Sequence, residues 1–157
     1  MKQTFQILPL QYEQFAPLFA LSDAELQSRG VRRMTVNKKP GFPCRASLAD
    51  AGIGEVVLLL PYAHHDVDSP YRASGPILIR QDAVTARPAV DQVPEMLRHR
   101  LLSIRAYDES ATMIVAEVLP GIELEVAIRR LFANERVRYL HIHNAQPGCF
   151  NCRVVRA

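Results

Sequence analysis

The feature that most constrains the fold is a pair of apolar segments in the last third of the chain, residues 101–108 and 112–119, joined by the turn-forming letters DESA. The short polar connection predicts that the two segments pair as an antiparallel β-hairpin. A helical segment, residues 121–135, and a further strand segment, residues 137–144, come next. Because strands follow one another directly, an antiparallel sheet is favoured over a parallel one.

The helix prediction depends on the spacing of apolar residues in 121–135. Five of them recur at intervals of three and four and share one helical face. They are Leu124, Ala127, Ile128, Leu131 and Phe132. On the other face, Glu125 and Arg129 are four residues apart, a spacing at which an ion pair supports a helix.

The N-terminal part of the chain predicts a strand followed by a short helix. Residues 4–10 alternate between apolar and polar side chains, as a half-buried strand does. Ser22 and Glu25 have the spacing of a capping box at the start of a helix. Gly30 fits the position just after the last helical turn.

The middle of the chain predicts strands separated by loops. Residues 54–62 form a continuous apolar run bounded by glycine and proline, which is typical of a strand buried on both faces. Residues 63–76 are polar and predict a long loop, after which residues 77–80 resume as a strand. Residues 44–48 predict a brief strand.

These elements predict a single globular α+β domain, residues 1–157, with a mainly antiparallel sheet and a few packed helices. The length of 157 residues suits one domain, and 48% hydrophobic with 22% charged residues suits a packed core. Regular strand–helix alternation and a glycine-rich phosphate loop are both missing from the sequence. A doubly wound nucleotide-binding fold is therefore disfavoured.

Location and partners follow from the apolar runs and the charge. The longest apolar run, VVLLL at residues 56–60, is too short to span a bilayer, and the N-terminal residues do not form a signal peptide. We therefore expect a cytoplasmic protein that does not bind a membrane. The net charge is +3, and the arginines are spread along the chain instead of forming a basic patch, so nucleic acid is not an expected partner. A homo-oligomer is compatible with this composition.

The segment HIHNAQPGCFNC, residues 141–152, is the main candidate for a functional site. His141 and His143 point to the same face of the predicted strand, with backbones about 7 Å apart. Cys149 and Cys152 follow with the spacing of a zinc turn, so the four side chains predict a tetrahedral zinc site. Such a site is structural if closed, and hydrolytic if one position stays open, with Cys44 or His64 replacing one histidine.

Other interpretations of these residues remain open. Arg153 follows the second cysteine where zinc turns commonly have glycine, and a second Cys-x-x-C is missing from the sequence. Cys149 and Cys152 then serve as small apolar side chains, and the histidines as hydrogen-bonded core residues. A redox pair is less favoured because no helix follows Cys152 to lower the thiol pKa. An odd number of cysteines also argues against a disulfide framework.

A second candidate site lies in the loops around residue 72. Arg45, Tyr71, Arg72 and Ser74 offer two guanidinium groups, a phenol and a hydroxyl, which suit a small anion such as a carboxylate or phosphate. The protein is then a non-enzymatic binding module. The alternative is that Arg72 only forms a surface ion pair with Asp66 or Asp68.

Two further classes stay open at this point. A nucleophile among Ser74, Ser103 and Cys44 needs a histidine and an acid within reach, but no nucleophile-elbow motif connects them. Whether the chain is an enzyme is therefore undecided by its sequence. An interaction or assembly domain is the remaining class.

Five motifs together resemble an uncharacterised bacterial family, the domain of unknown function 1203. The motifs are PGFPCRASL, GEVVLLLPY, SPYRASGPI, LLSIRAYD and HIHNAQPGCFNCRV. The resemblance extends from about residue 5 to residue 156. It implies a bacterial single-domain protein and carries no activity, substrate or site residue with it.

Overall fold

A computed structural model describes residues 2–157 of the chain, and eight strands and three α-helices lie within this range. The strands are β1 (Phe5–Leu8), β2 (Arg32–Thr35), β3 (Val56–His65), β4 (Ala73–Arg80), β5 (Leu101–Tyr107), β6 (Met113–Pro120), β7 (Tyr139–Asn144) and β8 (Phe150–Arg156). The helices are α1 (Asp23–Ser28), α2 (Glu95–Arg98) and α3 (Leu124–Phe132). Single 3-10 segments cover Tyr12–Gln14, Ala16–Ala20 and Gly121–Glu123.

The strands form two sheets, and every pair of neighbouring strands is antiparallel. The larger sheet has the order β1-β8-β7-β5-β6, and the smaller one has the order β2-β3-β4. The predicted hairpin is present as β5 and β6. The α+β class is therefore confirmed, with two antiparallel sheets where the sequence indicated one.

The main core lies between one face of the larger sheet and the helices α2 and α3. All five residues of the predicted helical face are buried there, together with Leu102, Ile104, Leu140 and Ile142 of the sheet. The predicted pair on the other face of α3 is also present, because Arg129 Nη2 lies 2.9 Å from Glu125 Oε1. The other face of the larger sheet is left for the polar residues described below.

The smaller sheet corrects the predicted loop at residues 63–76. β3 continues to His65 and β4 begins at Ala73, so the connection is shorter than predicted. His64 and His65 looked like loop residues because they are polar. They lie instead at the end of a strand, where His65 is buried and His64 is half-buried against the larger sheet.

Of three local predictions, two are confirmed and one is wrong. The capping box is present, since Ser22 Oγ accepts from the Glu25 amide at 3.2 Å and the Glu25 carboxylate accepts from the Ser22 amide at 3.4 Å. Gly30 follows the helix with φ +72°, a conformation that favours glycine. The brief strand predicted at 44–48 was wrong, because only isolated bridges form at Pro43 and Cys44.

Within residues 2–157, no helix has the length and apolar character needed to cross a bilayer.

Candidate functional site

His141 lies at the centre of a row of three side chains on the sheet face that is turned away from α3. Its cross-strand neighbours in register are Arg105 on β5 and Arg153 on β8. Residues directly opposite one another in an antiparallel sheet point to the same face, with Cβ atoms about 4.5–5.5 Å apart. One imidazole therefore lies between two guanidinium groups.

His143 forms a second row next to the first. Its neighbours in register are Ser103 on β5 and Phe150 on β8. A bulge places Asn151 as an extra residue of β8, and this shift brings Phe150 onto the histidine face. His141 and His143 thus share one face, as the strand alternation predicted, and both are almost fully buried.

Strand β3 brings two more histidines to this face, and one of them has both ring nitrogens bonded. His65 Nδ1 donates to the Tyr71 carbonyl at 2.8 Å, since a carbonyl can only accept. Its Nε2 therefore accepts, and the Tyr139 hydroxyl donates to it at 2.6 Å. His65 serves to hold Tyr139 in place.

His64 differs from His65, because its buried Nδ1 has no hydrogen-bond partner among residues 2–157. Its ring centroid lies 5.0 Å from that of His143 and 6.1 Å from that of His141. The ring also stacks on Phe150 at 5.2 Å with an interplanar angle of 12°. His64, His141 and His143 therefore form a cluster of three imidazoles, which we call the histidine cluster.

Each ring of the histidine cluster keeps one buried nitrogen with no hydrogen-bond partner among residues 2–157. These atoms are His64 Nδ1, His141 Nδ1 and His143 Nε2. The second nitrogen of His143, Nδ1, donates to the Gly148 carbonyl at 2.9 Å, which leaves a lone pair on Nε2. Buried polar atoms without partners are rare and indicate a ligand, an ion or a catalytic role.

The histidine cluster is neutral at physiological pH. Burial, together with the neighbouring histidines and Arg153, lowers the pKa of His141 to about 2. Burial also lowers the pKa of His143 to about 3, although its hydrogen bond to Gly148 works against the shift. The pKa of His64 is lowered by burial, by His65 and by Arg105. Neutral imidazoles have a free lone pair for a proton or a metal ion.

A cleft of about 430 Å³ opens between the end of β3 and the strands β7 and β8. His64, His65, Tyr139, His141 and Arg153 are among its lining residues. Its volume falls in the range of small-molecule sites, about 300–1,000 Å³.

Arg153 is the exposed cation of this cleft. Its guanidinium carbon lies 4.3 Å from the centroid of the Tyr139 ring, a cation–π contact that fixes the side chain. Within residues 2–157 it has no carboxylate partner. The two acidic residues of the cleft, Asp66 and Glu109, lie instead beside the exposed guanidinium groups of Arg72 and Arg138.

The four predicted zinc ligands do not converge. Cys152 is opposite Ile142 and lies in the core on the other face of the sheet from the histidines, where burial raises its pKa to about 12. Cys149 lies in the hairpin turn, and its sulfur accepts from the Asn144 side-chain amide at 3.1 Å. In the described residues, no three His, Cys, Asp or Glu side chains are already arranged around a metal position. Zinc binding by this set stays a prediction that the geometry does not support.

The four predicted anion-binding residues lie in different surroundings. Arg45 is 1% exposed and donates from Nε and Nη1 to the carbonyls of Phe150 and Pro43, at 2.7 and 2.6 Å. Arg72 is exposed and pairs with Asp66 at 2.9 Å, as the alternative interpretation held. Tyr71 and Ser74 are also exposed, and none of the four lines the cleft.

Several residues of the histidine face were missed at the sequence level. Arg105, Tyr107 and Phe150 reach this face only through the register of β5, β7 and β8. Strand alternation in residues 101–108 places Arg105 and Tyr107 on one face, but only the pairing shows that it is the histidine face. The sequence therefore placed Arg105 and Tyr107 on a common face of their strand but did not identify that face as the histidine face.

Comparison with known proteins supports the resemblance noted in the sequence. The family model described as "Protein of unknown function (DUF1203)" matches residues 41–156, well over half of the chain. This span contains every residue of the histidine cluster and of the two rows across β5, β7 and β8. No curated protein and no solved structure matches the chain. The chain belongs to the DUF1203 family.

Proposed function

We propose that the protein binds a small anionic ligand, through a carboxylate or phosphate group, in the cleft between β3 and the strands β7 and β8. The observation that carries the proposal is Arg153, a cleft guanidinium that has no carboxylate partner among residues 2–157. A guanidinium presents a planar fork of N–H donors that matches carboxylate and phosphate oxygens. Stacking on Tyr139 orients this fork before the ligand arrives.

The charges around the cleft favour a negatively charged ligand over a positively charged one. Arg105 lies on the same row as Arg153 and donates from Nε only to the Ser103 hydroxyl, at 3.4 Å. Arg45 lies buried behind Phe150, again with neutral acceptors only. None of these three arginines forms an ion pair with a carboxylate among residues 2–157, and the two acidic residues of the cleft pair with other arginines. The remaining positive charge is one that an anion would neutralise.

The proposed role replaces the anion-binding loop that the sequence indicated with a different set of residues. Arg72, the centre of the earlier prediction, is already paired with Asp66 and is exposed to solvent. Arg153 is in the better position, since a partly enclosed site strengthens charge-assisted hydrogen bonds. We propose binding as the function and assign no reaction to it.

We also propose the bacterial cytoplasm as the setting of this protein. All three cysteines, Cys44, Cys149 and Cys152, are free thiols. Free buried thiols suit a compartment in which disulfides are kept reduced.

Calorimetric titration with inorganic phosphate and with malonate tests the proposal. Wild-type protein is expected to bind at least one of these probes saturably, and Arg153→Gln is expected to weaken that binding about tenfold or more, because a charge-assisted hydrogen bond is worth about 1.5–3 kcal/mol. The matched control is Arg130→Gln, which removes the same charge from an exposed arginine on α3 that pairs with Glu117 on β6. Equal affinities of wild type and Arg153→Gln, or no saturable binding of either probe, would overturn the proposal.

A further inference from the structure

We propose that His64, His141 and His143 form a binding site for one divalent transition-metal ion, of the zinc class, at the inner end of the cleft. This inference goes beyond anion binding and does not depend on it. It also differs from the zinc site that the sequence indicated, because both cysteines are replaced by a histidine from the other sheet.

The separations of the three rings suit a common ion. Their centroids are 5.0, 6.1 and 6.2 Å apart. A point equidistant from the three centroids lies about 3.4 Å from each, and an ion about 2.0–2.1 Å from a ring nitrogen lies about 3.2 Å from that ring's centroid. The centroid separations are therefore within a few tenths of an ångström of those expected around one ion.

The hydrogen bonding of the rings leaves a nitrogen free in each case. His64 Nδ1, His141 Nδ1 and His143 Nε2 are buried and unpartnered among residues 2–157. His141 is 2% exposed and His143 is fully buried, so bulk water reaches neither ring freely. His143 also donates its other ring N–H to the Gly148 carbonyl, the arrangement that orients metal-binding histidines in proteins.

The three rings come from two sheets, and this explains why the site is not fully closed. His141 and His143 are fixed by the strand β7, whereas His64 is half-buried near the end of β3. Because no preformed metal arrangement exists among residues 2–157, His64 has to turn toward the other two when the ion binds.

Arg105 and Arg153, on either side of His141, repel a metal ion that binds alone. They favour a metal ion that binds together with an anion. Three histidines leave one position of a tetrahedral ion open. His64 and His141 line the cleft, so that position is reached from the side of Arg153. An anion held by Arg153 would therefore offset the charge repulsion and complete the ion's coordination.

Equilibrium dialysis against Zn²⁺, followed by elemental analysis, tests the inference. The thiols are kept reduced, and a chloride buffer without phosphate or carboxylate separates this test from the one on anion binding. Wild type is expected to retain about one equivalent of zinc, and His64→Ala to bind about a hundredfold more weakly. His64 is the variant of choice because it is the most exposed of the three rings, and circular dichroism checks that the variant is folded.

Three control variants make the outcome specific. His99→Ala removes a histidine near Asp50, away from the cluster, and the double variant Cys149→Ser/Cys152→Ser removes the thiols. Both are expected to retain zinc, and so is Arg153→Gln even where it has lost anion binding. Zinc retained by His64→Ala, zinc lost with the cysteines, or no zinc on wild type would each contradict the inference.

Discussion

At the scale of single residues, Arg45 shows how the site is supported from behind. Its side chain is among the largest that are fully buried, and two backbone carbonyls accept its N–H groups. One of these carbonyls belongs to Phe150, whose ring contacts all three members of the histidine cluster. Burial is the main cause of the lowered pKa of Arg45, and the Cys149 thiol next to it opposes that shift. Arg45 therefore acts as a positioning residue for Phe150.

Replacing Arg45 by alanine is expected to destabilise the protein by about 2–4 kcal/mol, because it leaves two buried carbonyls without donors and opens a cavity. Urea denaturation measures the effect as a lower midpoint with an unchanged m-value. The control Arg72→Ala removes an exposed arginine paired with Asp66 and is expected to change stability by less than about 1 kcal/mol. Similar midpoints for the two variants would show that Arg45 has no such structural role.

At the scale of secondary-structure elements, the sequence predicted the elements with strong local signals and missed those set by pairing. The capping box at Ser22 and the buried face of α3 depend on residues three or four apart, and both are present. The side of the sheet that Phe150 faces depends on the bulge at Asn151, which no local pattern shows. The extension of β3 to His65 was missed for a related reason, since the buried histidines look polar in the sequence.

The same difference explains how much of the candidate site was foreseen. His141 and His143 were predicted as a pair on one face, because strand alternation alone decides it. Arg153 was noted only as an unusual residue after a zinc turn, and its position beside His141 follows from the register of β7 and β8. Register is fixed by pairing over long sequence distances, so a sequence read locally cannot provide it.

The junction between α2 and α3 depends on a glycine at close approach. A Cβ on Gly121 would lie 1.8 Å from the Leu97 carbonyl oxygen, and the Gly121 amide donates to the Arg100 carbonyl at 2.7 Å. Gly121→Ala is therefore expected to destabilise the protein by about 1–3 kcal/mol, through the backbone shift that relieves the clash.

Thermal unfolding of Gly121→Ala and Gly75→Ala tests this prediction. A Cβ on Gly75 in β4 would meet no atom within 4 Å, so this control is expected to leave the melting temperature unchanged or slightly higher. If both variants melted like the wild type, the close approach of the two helices would not be as described.

At the scale of the whole molecule, an ion-pair cluster joins the segment between β2 and β3 to the start of β5. The Asp50 carboxylate accepts from Arg100 Nη1 at 3.0 Å and lies 2.9 Å from His99 Nε2. Burial alone would raise the pKa of Asp50, but the hydrogen bonds from Arg100 and His99 outweigh it and lower the pKa. The folded state therefore holds the ionised form of Asp50 more firmly than the unfolded state does.

The sign of the resulting pH dependence follows from this lowered pKa. A carboxylate with a folded pKa below the unfolded value, about 3.9, stabilises the protein above that pH and loses this contribution as the pH falls further. Comparing wild type with Asp50→Asn by urea denaturation between pH 7 and pH 3 should show a stability difference that shrinks at the acid end. A difference that stayed constant with pH would mean that Asp50 is not held as an ion.

We propose that the anion site of this protein is the cleft at Arg153 and not the surface loop at Arg72. The most direct measurement is an NMR titration with inorganic phosphate that follows the side-chain Nε–Hε signals of the arginines. We expect a saturable shift of the Arg153 signal, a smaller shift of the signal of Arg105 on the same row, and no shift for Arg72 or Arg130. A saturable shift at Arg72 with no change at Arg153 would contradict it.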